Sequence, residues 1–251
     1  MTKTALITGG AIRIGQALAA TCASLGYRLV IHYNASEPSA QAFSESLKKQ
    51  QIDHCLLRCD LSRASEVTQL FDRIPDVFKP IDLLINSAAI FPEQDSLADF
   101  NNNWSSVMGI NSYAPIELMR QFSEQFDGSD ENSETSTEKH HVDKQIINII
   151  DARVRHNQQD RLVYRWSKTL LQQATKDLAL SLAPNIRVNG IAPGAILPPP
   201  GKSDDHLKRL ESRIPLQSTG ELSHITRALT YLIEQPFVTG EILSVDGGEF
   251  L

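Results

Sequence analysis

The sequence has few cysteines, no long apolar run and no excess of positive charge. Its 251 residues include 3 cysteines, 24 lysines and arginines, and 30 aspartates and glutamates, for a formal net charge of -6. An acidic chain lacks the basic surface that a phosphate backbone attracts, so nucleic acid is not an expected partner. No apolar run approaches the roughly 20 residues needed to cross a bilayer, so no membrane contact is expected.

The cysteines suggest neither a metal site nor a disulfide framework. Cys22, Cys55 and Cys59 are odd in number and lack a CxxC pair, and no further ligands stand at suitable spacing from the last two. No charged segment followed by an apolar one precedes the first predicted strand. We therefore expect reduced thiols, no bound metal and a soluble, cytoplasmic protein.

Seven apolar runs of strand length alternate with longer stretches of helical spacing. Such alternation indicates βαβ units and a parallel sheet buried on both faces. We predict an α/β fold with a single domain over residues 1–251, a Rossmann-like doubly wound sheet of about seven parallel strands flanked by helices. Ligands should then lie at the carboxyl ends of the strands. The runs begin at Thr4, Arg28, His54, Ile81, Gln145, Ile186 and Glu241.

Two stretches between the strands have distinct patterns. Residues 15–26, GQALAATCASLG, place Ala17, Leu18, Ala20 and Leu25 on one predicted helical face that ends at Gly26. Residues 127–144, DGSDENSETSTEKHHVDK, contain almost no apolar residue and predict a disordered surface insertion. We expect the two histidines at 140 and 141 to be solvated rather than to bind metal.

The segment TGGAIRIG joins the first predicted strand to the first helix. Gly9, Gly10 and Gly15 stand where backbone N–H groups and the positive end of a helix can face a pyrophosphate. Their spacing resembles the TGxxxGxG loop of the short-chain dehydrogenases/reductases. In this chain Arg13 replaces the middle glycine, which gives TGxxxRxG.

The end of the second strand predicts which dinucleotide binds. His32, Tyr33, Asn34 and Ser36 stand there, and no acidic residue occurs before Glu37. A carboxylate at this place would bind the ribose 2′-OH of NAD, whereas a 2′-phosphate requires donors and positive charge. The predicted cofactor is therefore NADPH.

The segment YRWSK places Tyr164 and Lys168 four residues apart on a predicted helix. This spacing puts both side chains on one face, so the ammonium is expected to favour the ionised phenol and to let it exchange protons near neutral pH. The motif alone is weak, because many helices contain a solvated Tyr–Lys pair. Together with the glycine loop it indicates catalysis.

A carboxylate occupies a position where the short-chain reductases usually have a serine. Asp151 ends the fifth predicted strand, thirteen residues before Tyr164. A carboxyl can hold a charge, accept two hydrogen bonds or deliver a proton, which a serine hydroxyl cannot do in the same way. Asp151 therefore predicts a nitrogen-rich substrate.

Arg13, Phe91 and Asp151 together resemble the pteridine reductases and the related bacterial dihydromonapterin reductases, and the likeness covers nearly the whole chain. The resemblance implies that Arg13 contacts both the cofactor phosphate and the pterin, and that Phe91 sandwiches the pterin against the nicotinamide. It also implies that Asp151 and Tyr164 manage protons while Lys168 binds the nicotinamide ribose. A flat pterin suits an aromatic platform.

The same resemblance implies the remaining site residues and a homotetramer. Asn111 would help to hold a proton-relay water. Ala35 and Ala89 depart from the trypanosomatid pteridine reductases, which have an arginine and a serine there. The further cofactor-binding residues that the resemblance implies are Ile14, Asp60, Leu61, Asn86, Ser87, Ala88, Pro193, Gly194 and Ile196.

Three functions are compatible with these residues. The first hypothesis is an NADPH-dependent pteridine reductase that transfers hydride to dihydromonapterin, dihydrobiopterin or dihydrofolate. The second is a general carbonyl or 3-oxoacyl reductase, for which a serine rather than Asp151 would be expected. The third is a non-catalytic NADP(H) sensor, which would need the glycine loop but not the combination of Asn111, Tyr164 and Lys168.

Overall fold

The strands lie where the apolar runs predict them. The computed structural model describes residues 2–126, 144–155, 160–199, 201, 203 and 205–251. Residues that follow one another in these runs are buried on alternate sides, as a sheet covered on both faces requires. The strands are β1 (Thr4–Ile7), β2 (Arg28–Tyr33), β3 (His54–Arg58), β4 (Leu83–Asn86), β5 (Gln145–Ile149), β6 (Arg187–Pro193) and β7 (Ile242–Val245).

All seven strands pair in parallel in one sheet, in the order β3-β2-β1-β4-β5-β6-β7. From β1 the chain adds β2 and β3 toward one edge of the sheet, and from β4 it adds β5, β6 and β7 toward the other edge. The winding therefore reverses between the neighbouring strands β1 and β4. In doubly wound sheets ligands bind at this point, beyond the carboxyl ends of the strands. The predicted fold class is confirmed.

Helices cover both faces of the sheet. They are α1 (Arg13–Ser24), α2 (Glu37–Lys49), α3 (Ala64–Val67), α4 (Phe100–Met108), α5 (Ala114–Glu124), α6 (Leu162–Ser181), α7 (Asp205–Glu211) and α8 (Leu222–Glu234). A π-helical turn, Gly109–Tyr113, connects α4 to α5.

The two faces of the sheet have separate apolar cores. Ala5 and Ile7 of β1 pack in a core with α1, α2 and α8, whereas Leu6 packs on the other side with α5 and α6. This division follows from the two-residue period of a strand. Both cores pack against the same strands. The loops at the carboxyl ends of these strands therefore start from a sheet that is packed on both faces.

The apolar face predicted for α1 coincides only in part with its buried face. Leu18 is buried and Ala17 half-buried, but Ala20 and Leu25 are exposed, and Ala19 and Cys22 are buried. Burial of Leu18 and Cys22, four residues apart, follows the ordinary helical spacing toward the sheet. The predicted end is confirmed, since α1 ends at Ser24 and Gly26 has a positive φ of 86°.

The predicted insertion over residues 127–144 lies almost entirely outside the described residues. Only Lys144 belongs to the described part, where its ammonium pairs with Asp82 and lies 4.7 Å above the ring of Phe126. Lys144 is therefore held beside the start of β5.

Among the described residues, no helix is long and apolar enough to cross a membrane. In the same ranges no group of three or more histidine, cysteine, aspartate and glutamate side chains is arranged to hold a metal ion.

Candidate active site

The glycine loop between β1 and α1 packs against the loop after β4. Gly9 has a φ of 63°, and a Cβ on it would lie 3.1 Å from the Cα of Ala88. A Cβ on Gly15 would lie 2.2 Å from the carbonyl oxygen of Gly9, a distance that backbone cannot accommodate. The hydroxyl of Thr8 accepts hydrogen bonds of 3.0 Å from the N–H groups of Ser87 and Ala88. The two loops thus form one wall.

His32 shapes this loop from β2. Its Nδ1 accepts a hydrogen bond of 3.1 Å from the N–H of Gly9, and its Nε2 lies 3.0 Å from the carbonyl oxygen of Cys59. Since Nδ1 accepts and Nε2 donates, the ring is neutral. Burial lowers the pKa of His32 to about 4. His32 was predicted to contact the cofactor, and its buried ring supports the cofactor loop.

A cleft of about 490 Å³ lies beyond the carboxyl ends of β1, β2 and β4. It is lined by the glycine loop, the end of β2 and the loop after β4. Most of the predicted cofactor-binding residues meet there, as parallel strands with ends at one edge require. Those that line the cleft are Gly9, Arg13, Ile14, Gly15, His32, Tyr33, Asn34, Ser36, Leu61, Ser87 and Ala88.

Other residues predicted to bind the cofactor do not line this cleft. The Asp60 carboxylate accepts hydrogen bonds from the N–H and hydroxyl of Ser62, at 3.0 and 2.7 Å. The buried Asn86 amide donates to Asn148 Oδ1 at 2.8 Å. The sequence could not show that these two side chains have protein partners.

The turn after β6 lies beside the C-terminal segment. Pro193 is the last residue of β6, and the N–H of Gly194 donates to the carbonyl of Val245 at 3.0 Å. Ile196 lines a different cavity with Pro215 and Val245, of about 490 Å³. Ile196 therefore lies outside the cleft that most of the predicted residues share.

Arg13 reaches out of the glycine loop. Its backbone φ is 53°, a left-handed conformation that a glycine at this position would adopt without strain. Its Nη2 donates a hydrogen bond of 2.7 Å to the carbonyl of Pro198, in the loop after β6. The side chain thus connects the glycine loop to the loop after β6.

Tyr164 and Asp151 are in direct contact. Tyr164 lies in the first turn of α6, Asp151 follows β5, and the phenol donates a hydrogen bond of 2.8 Å to Asp151 Oδ2. Arg153 flanks the pair: its N–H donates to Asp151 Oδ1 at 2.8 Å, and its Nε lies 3.8 Å from the same oxygen. The predicted proton-handling pair is therefore assembled.

The electrostatics of Tyr164 differ from the prediction. Burial, and then the adjacent Asp151 charge and hydrogen bond, raise the pKa of Tyr164 well above its usual value. Burial also raises the pKa of Asp151, although Arg153 opposes this. The expectation that Lys168 holds Tyr164 partly ionised is wrong for this arrangement. At neutral pH the phenol carries its proton.

Lys168 is directed to the end of β5. Its Nζ donates a hydrogen bond of 2.8 Å to the carbonyl oxygen of Ile149, and only 2% of the residue is exposed. Burial lowers the pKa of Lys168 to about 8, and the charge of Asp151 acts in the opposite direction. The ammonium is thus one turn below Tyr164, in the electrostatic range of Asp151.

The side chain of Asn111 is engaged with protein groups. In the π-helical turn, its Oδ1 accepts from the N–H of Ile90 at 2.9 Å, and its Nδ2 donates to the Ile90 carbonyl at 3.0 Å and to the Ser167 hydroxyl at 3.2 Å. Asn111 therefore ties the loop after β4 to α6. π-Helical turns are often found at functional sites.

Phe91 contacts the phenol ring of Tyr164 and two arginines. Its ring centroid lies 4.7 Å from that of Tyr164, at an interplanar angle of 81°. The guanidinium carbons of Arg161 and Arg153 lie 4.4 and 5.7 Å from the Phe91 centroid. The predicted aromatic platform thus lies beside the predicted proton donor, Tyr164. Neither arginine was singled out from the sequence, because no motif distinguishes them.

Glu249 was also missed in the sequence. Its Oε2 accepts a hydrogen bond of 3.2 Å from the N–H of Ala195, next to the turn after β6. Burial raises the pKa of Glu249, Arg153 lowers it and Asp151 raises it, so both charges lie within its electrostatic range. Only the folded sheet brings this C-terminal residue to the site.

The sequence is similar to those of several reductases. Residues 10–249 match the sequence model of a family described as enoyl-(acyl carrier protein) reductase. The 3-oxoacyl-[acyl-carrier-protein] reductase FabG of Staphylococcus epidermidis is 24% identical over all of both chains. Carbonyl reductase family member 4 of Danio rerio is 29% identical, over 99% of this chain and 98% of its own.

Solved structures of a second kind of reductase are also similar. FolM alternative dihydrofolate reductase 1 of Brucella canis, complexed with NADP, is 31% identical over 99% of this chain and 94% of its own, with a TM-score of 0.85. The protein of that name from Brucella suis, also with NADP, is 31% identical over 99% and 95%, with a TM-score of 0.87. With the family match over residues 10–249, these likenesses show that the chain belongs to the short-chain dehydrogenase/reductase family of oxidoreductases.

Proposed function

We propose that this protein is an NADPH-dependent pteridine reductase that transfers hydride to a dihydropterin. The observation that carries the proposal is the 2.8 Å hydrogen bond from Tyr164 to Asp151, beside the Phe91 ring. A carboxyl at this position provides both an acceptor and a second proton-holding group next to the phenol. The edge of a pterin carries several nitrogen donors and acceptors, which a simple ketone lacks.

The cleft suits a dinucleotide with a 2′-phosphate. Gly9 and Gly15 leave backbone where a Cβ would clash, and α1 begins there, so its free N–H groups and positive end favour phosphate. Asn34 and Ser36 line the end of β2 with donors, and the nearby Glu37 carboxylate lies 3.7 Å from the Arg58 guanidinium. Bound NADPH would supply the hydride.

The side chains divide the remaining work. Reduction of a C=N bond adds a hydride to carbon and a proton to nitrogen. Tyr164 Oη, protonated at neutral pH, is the proton donor, and Asp151, whose pKa is raised by burial, can hold a second proton beside it at pH values below that pKa. Phe91 offers a flat face to the ring. Arg13, which spans from the glycine loop to Pro198, closes the cleft on the substrate side.

The names of the related proteins support two hypotheses about the substrate. The FolM structures, described as alternative dihydrofolate reductases, support a pterin or folate substrate. FabG and carbonyl reductase family member 4 support a carbonyl substrate as the second candidate. Asp151 favours the first, since carbonyl reductases of this family use a serine hydroxyl at that position.

The test is a substrate panel with purified protein. NADPH oxidation is followed by absorbance with dihydromonapterin, dihydrobiopterin, dihydrofolate and an acetoacetyl thioester at equal concentrations. We expect turnover with at least one dihydropterin to exceed that with the thioester in kcat/KM. Faster thioester reduction would establish the carbonyl reductase instead. If the protein binds NADPH but reduces none of the four substrates, the result would favour a non-catalytic NADP(H) sensor.

A further inference from the structure

Helix α6, which carries Tyr164, begins without a cap of its own. Arg161 precedes the helix with a φ of 58° and makes no side-chain cap hydrogen bond. The first N–H groups of a helix have no partners within it and must find them elsewhere. In this structure they find them in a loop almost seventy residues earlier in the chain.

Asp95 supplies the missing cap. Its carboxylate accepts hydrogen bonds from the N–H of Val163 at 3.1 Å and from the N–H of Tyr164 itself at 2.8 Å. Its main-chain carbonyl accepts from the N–H of Leu162 at 2.9 Å. Asp95 is only 5% exposed, and a negative charge at a helix N-terminus is favourable. The backbone of the proton donor is thus bonded to Asp95.

Arg161 ties the same loop from the opposite direction. Its Nη1 donates to the carbonyl of Pro92 and, at 2.7 Å, to that of Glu93. Its guanidinium carbon lies 4.4 Å from the centroid of Phe91, in the range of a cation–π contact. The left-handed backbone of Arg161 is unfavourable for a residue with a Cβ, so these contacts must outweigh it.

Both residues therefore hold Phe91 and Tyr164 together. Asp95 fixes the helix start to the loop, and Arg161 fixes the loop to the residue before the helix. Between them the two rings meet at 4.7 Å and pack with Val107 and Val163 in a small apolar cluster. A shift at either contact would change the distance between the aromatic platform and the phenol.

We infer that Asp95 and Arg161 are positioning residues that set the geometry of Phe91 and Tyr164 for a flat substrate. The inference rests on the proposed function. Asp95 acts on the proton donor, because it bonds the backbone of Tyr164 directly. Arg161 acts on the platform, because it contacts the Phe91 ring and the two carbonyls that follow it.

Kinetics of three variants separate these roles. Loss of a helix cap has an effect equivalent to roughly fivefold to thirtyfold in an equilibrium constant. We expect Asp95→Ala to lower kcat for the dihydropterin by about tenfold, and Asp95→Asn, which keeps one carbonyl acceptor, to recover part of it. Arg161→Met should raise the pterin KM more than it changes kcat. Affinity for NADPH should remain that of the parent protein in all three.

A matched control removes a cap in the same loop that does not touch α6. The Asp99 carboxylate accepts from the N–H of Ser96 at 2.9 Å and from its hydroxyl at 2.7 Å. Asp99→Ala should therefore leave kcat and KM unchanged. Parental kinetics in Asp95→Ala and Arg161→Met, or an equal loss in Asp99→Ala, would overturn the inference.

Hydrogen exchange tests the inference without any substrate, so failure of the proposed function stays distinguishable. In folded Asp95→Ala, the amides of Val163 and Tyr164 should exchange about tenfold faster, while amides near the middle of α6 keep their protection. Unchanged protection at both amides would overturn the inference. If the parent protein reduces no pterin, only the proposed function fails, and the exchange result still decides the role of Asp95.

Discussion

The phenol of Tyr164 donates a 2.8 Å hydrogen bond to Oδ2 of Asp151, thirteen residues earlier in the chain. Burial raises the pKa of both groups, and the Asp151 charge raises that of Tyr164 further, whereas the phenol hydrogen bond lowers the pKa of Asp151. At neutral pH the phenol therefore keeps its proton beside the carboxyl. Such a pair is suited to reduction, in which a substrate nitrogen must gain a proton.

Tyr164→Phe should abolish most turnover and leave cofactor binding intact. The substitution removes the donor oxygen and keeps the ring that packs against Phe91 at 4.7 Å. Loss of a positioned general acid lowers rates by about 100-fold to 10,000-fold. Stopped-flow or steady-state NADPH oxidation gives kcat, and NADPH fluorescence titration gives Kd. Near-parental kcat would mean that another group donates the proton.

Gly15→Ala should weaken NADPH binding, whereas Gly109→Ala should not. The Cβ at position 15 would meet the Gly9 carbonyl oxygen at 2.2 Å, but at position 109 no atom lies within 4 Å. Overpacking costs about 1 to 3 kcal/mol, which corresponds to about fivefold to 150-fold in affinity if the whole cost falls on NADPH binding. Fluorescence titration measures both constants. Equal affinities in the two variants would contradict the assignment of the phosphate loop.

Stability should fall below neutral pH because His32 is buried in its neutral form. Its folded-state pKa of about 4 lies below the usual 6.5, so the unfolded chain takes up the proton first as the pH falls. The contribution of neutral His32 to the free energy of unfolding is therefore fully present above about pH 6.5. It is lost as the pH falls toward 4, by about 3 kcal/mol if the whole shift is realised.

His32→Asn removes this titration while its Oδ1 can still accept the N–H of Gly9. Urea unfolding at pH 7.5 and pH 4.5 gives the difference in unfolding free energy between the parent and the variant. We expect the parent to lose more stability than the variant on acidification. A difference that stays constant between the two pH values would show that His32 is not the titrating group.

Much of the fold could be predicted from the sequence because its signals are local. All seven apolar runs became parallel strands, and Gly26 ends α1 with a positive φ. The buried face of α1 was harder to predict, since the alanines at positions 19 and 20 are equally hydrophobic. Only the position of the sheet decides that Ala19 is buried and Ala20 is exposed.

The site was predictable where motifs mark it and not where the fold alone brings residues together. The glycine loop, Tyr164, Asp151 and Phe91 follow from spacing and resemblance. Asp95, Arg161 and Glu249 had no signal, because their partners lie far away in sequence. The upward shift of the Tyr164 pKa could not be predicted, because burial and the contact with Asp151, which the sequence does not show, outweigh the nearby charges of Arg153 and Arg161. The homotetramer and the cytoplasmic location stay predictions.

The most direct test of the account is the substrate preference of Asp151→Ser. The ratio of kcat/KM for the best dihydropterin to that for an acetoacetyl thioester is measured for the parent, for Asp151→Ser and for Asp177→Ser. Asp177 is an exposed aspartate of α6 whose carboxylate accepts from Gln173 at 2.7 Å, so its variant serves as the control. We predict that the ratio falls by at least about tenfold only in Asp151→Ser. An unchanged ratio in that variant would contradict the role of Asp151 and with it the pteridine reductase function.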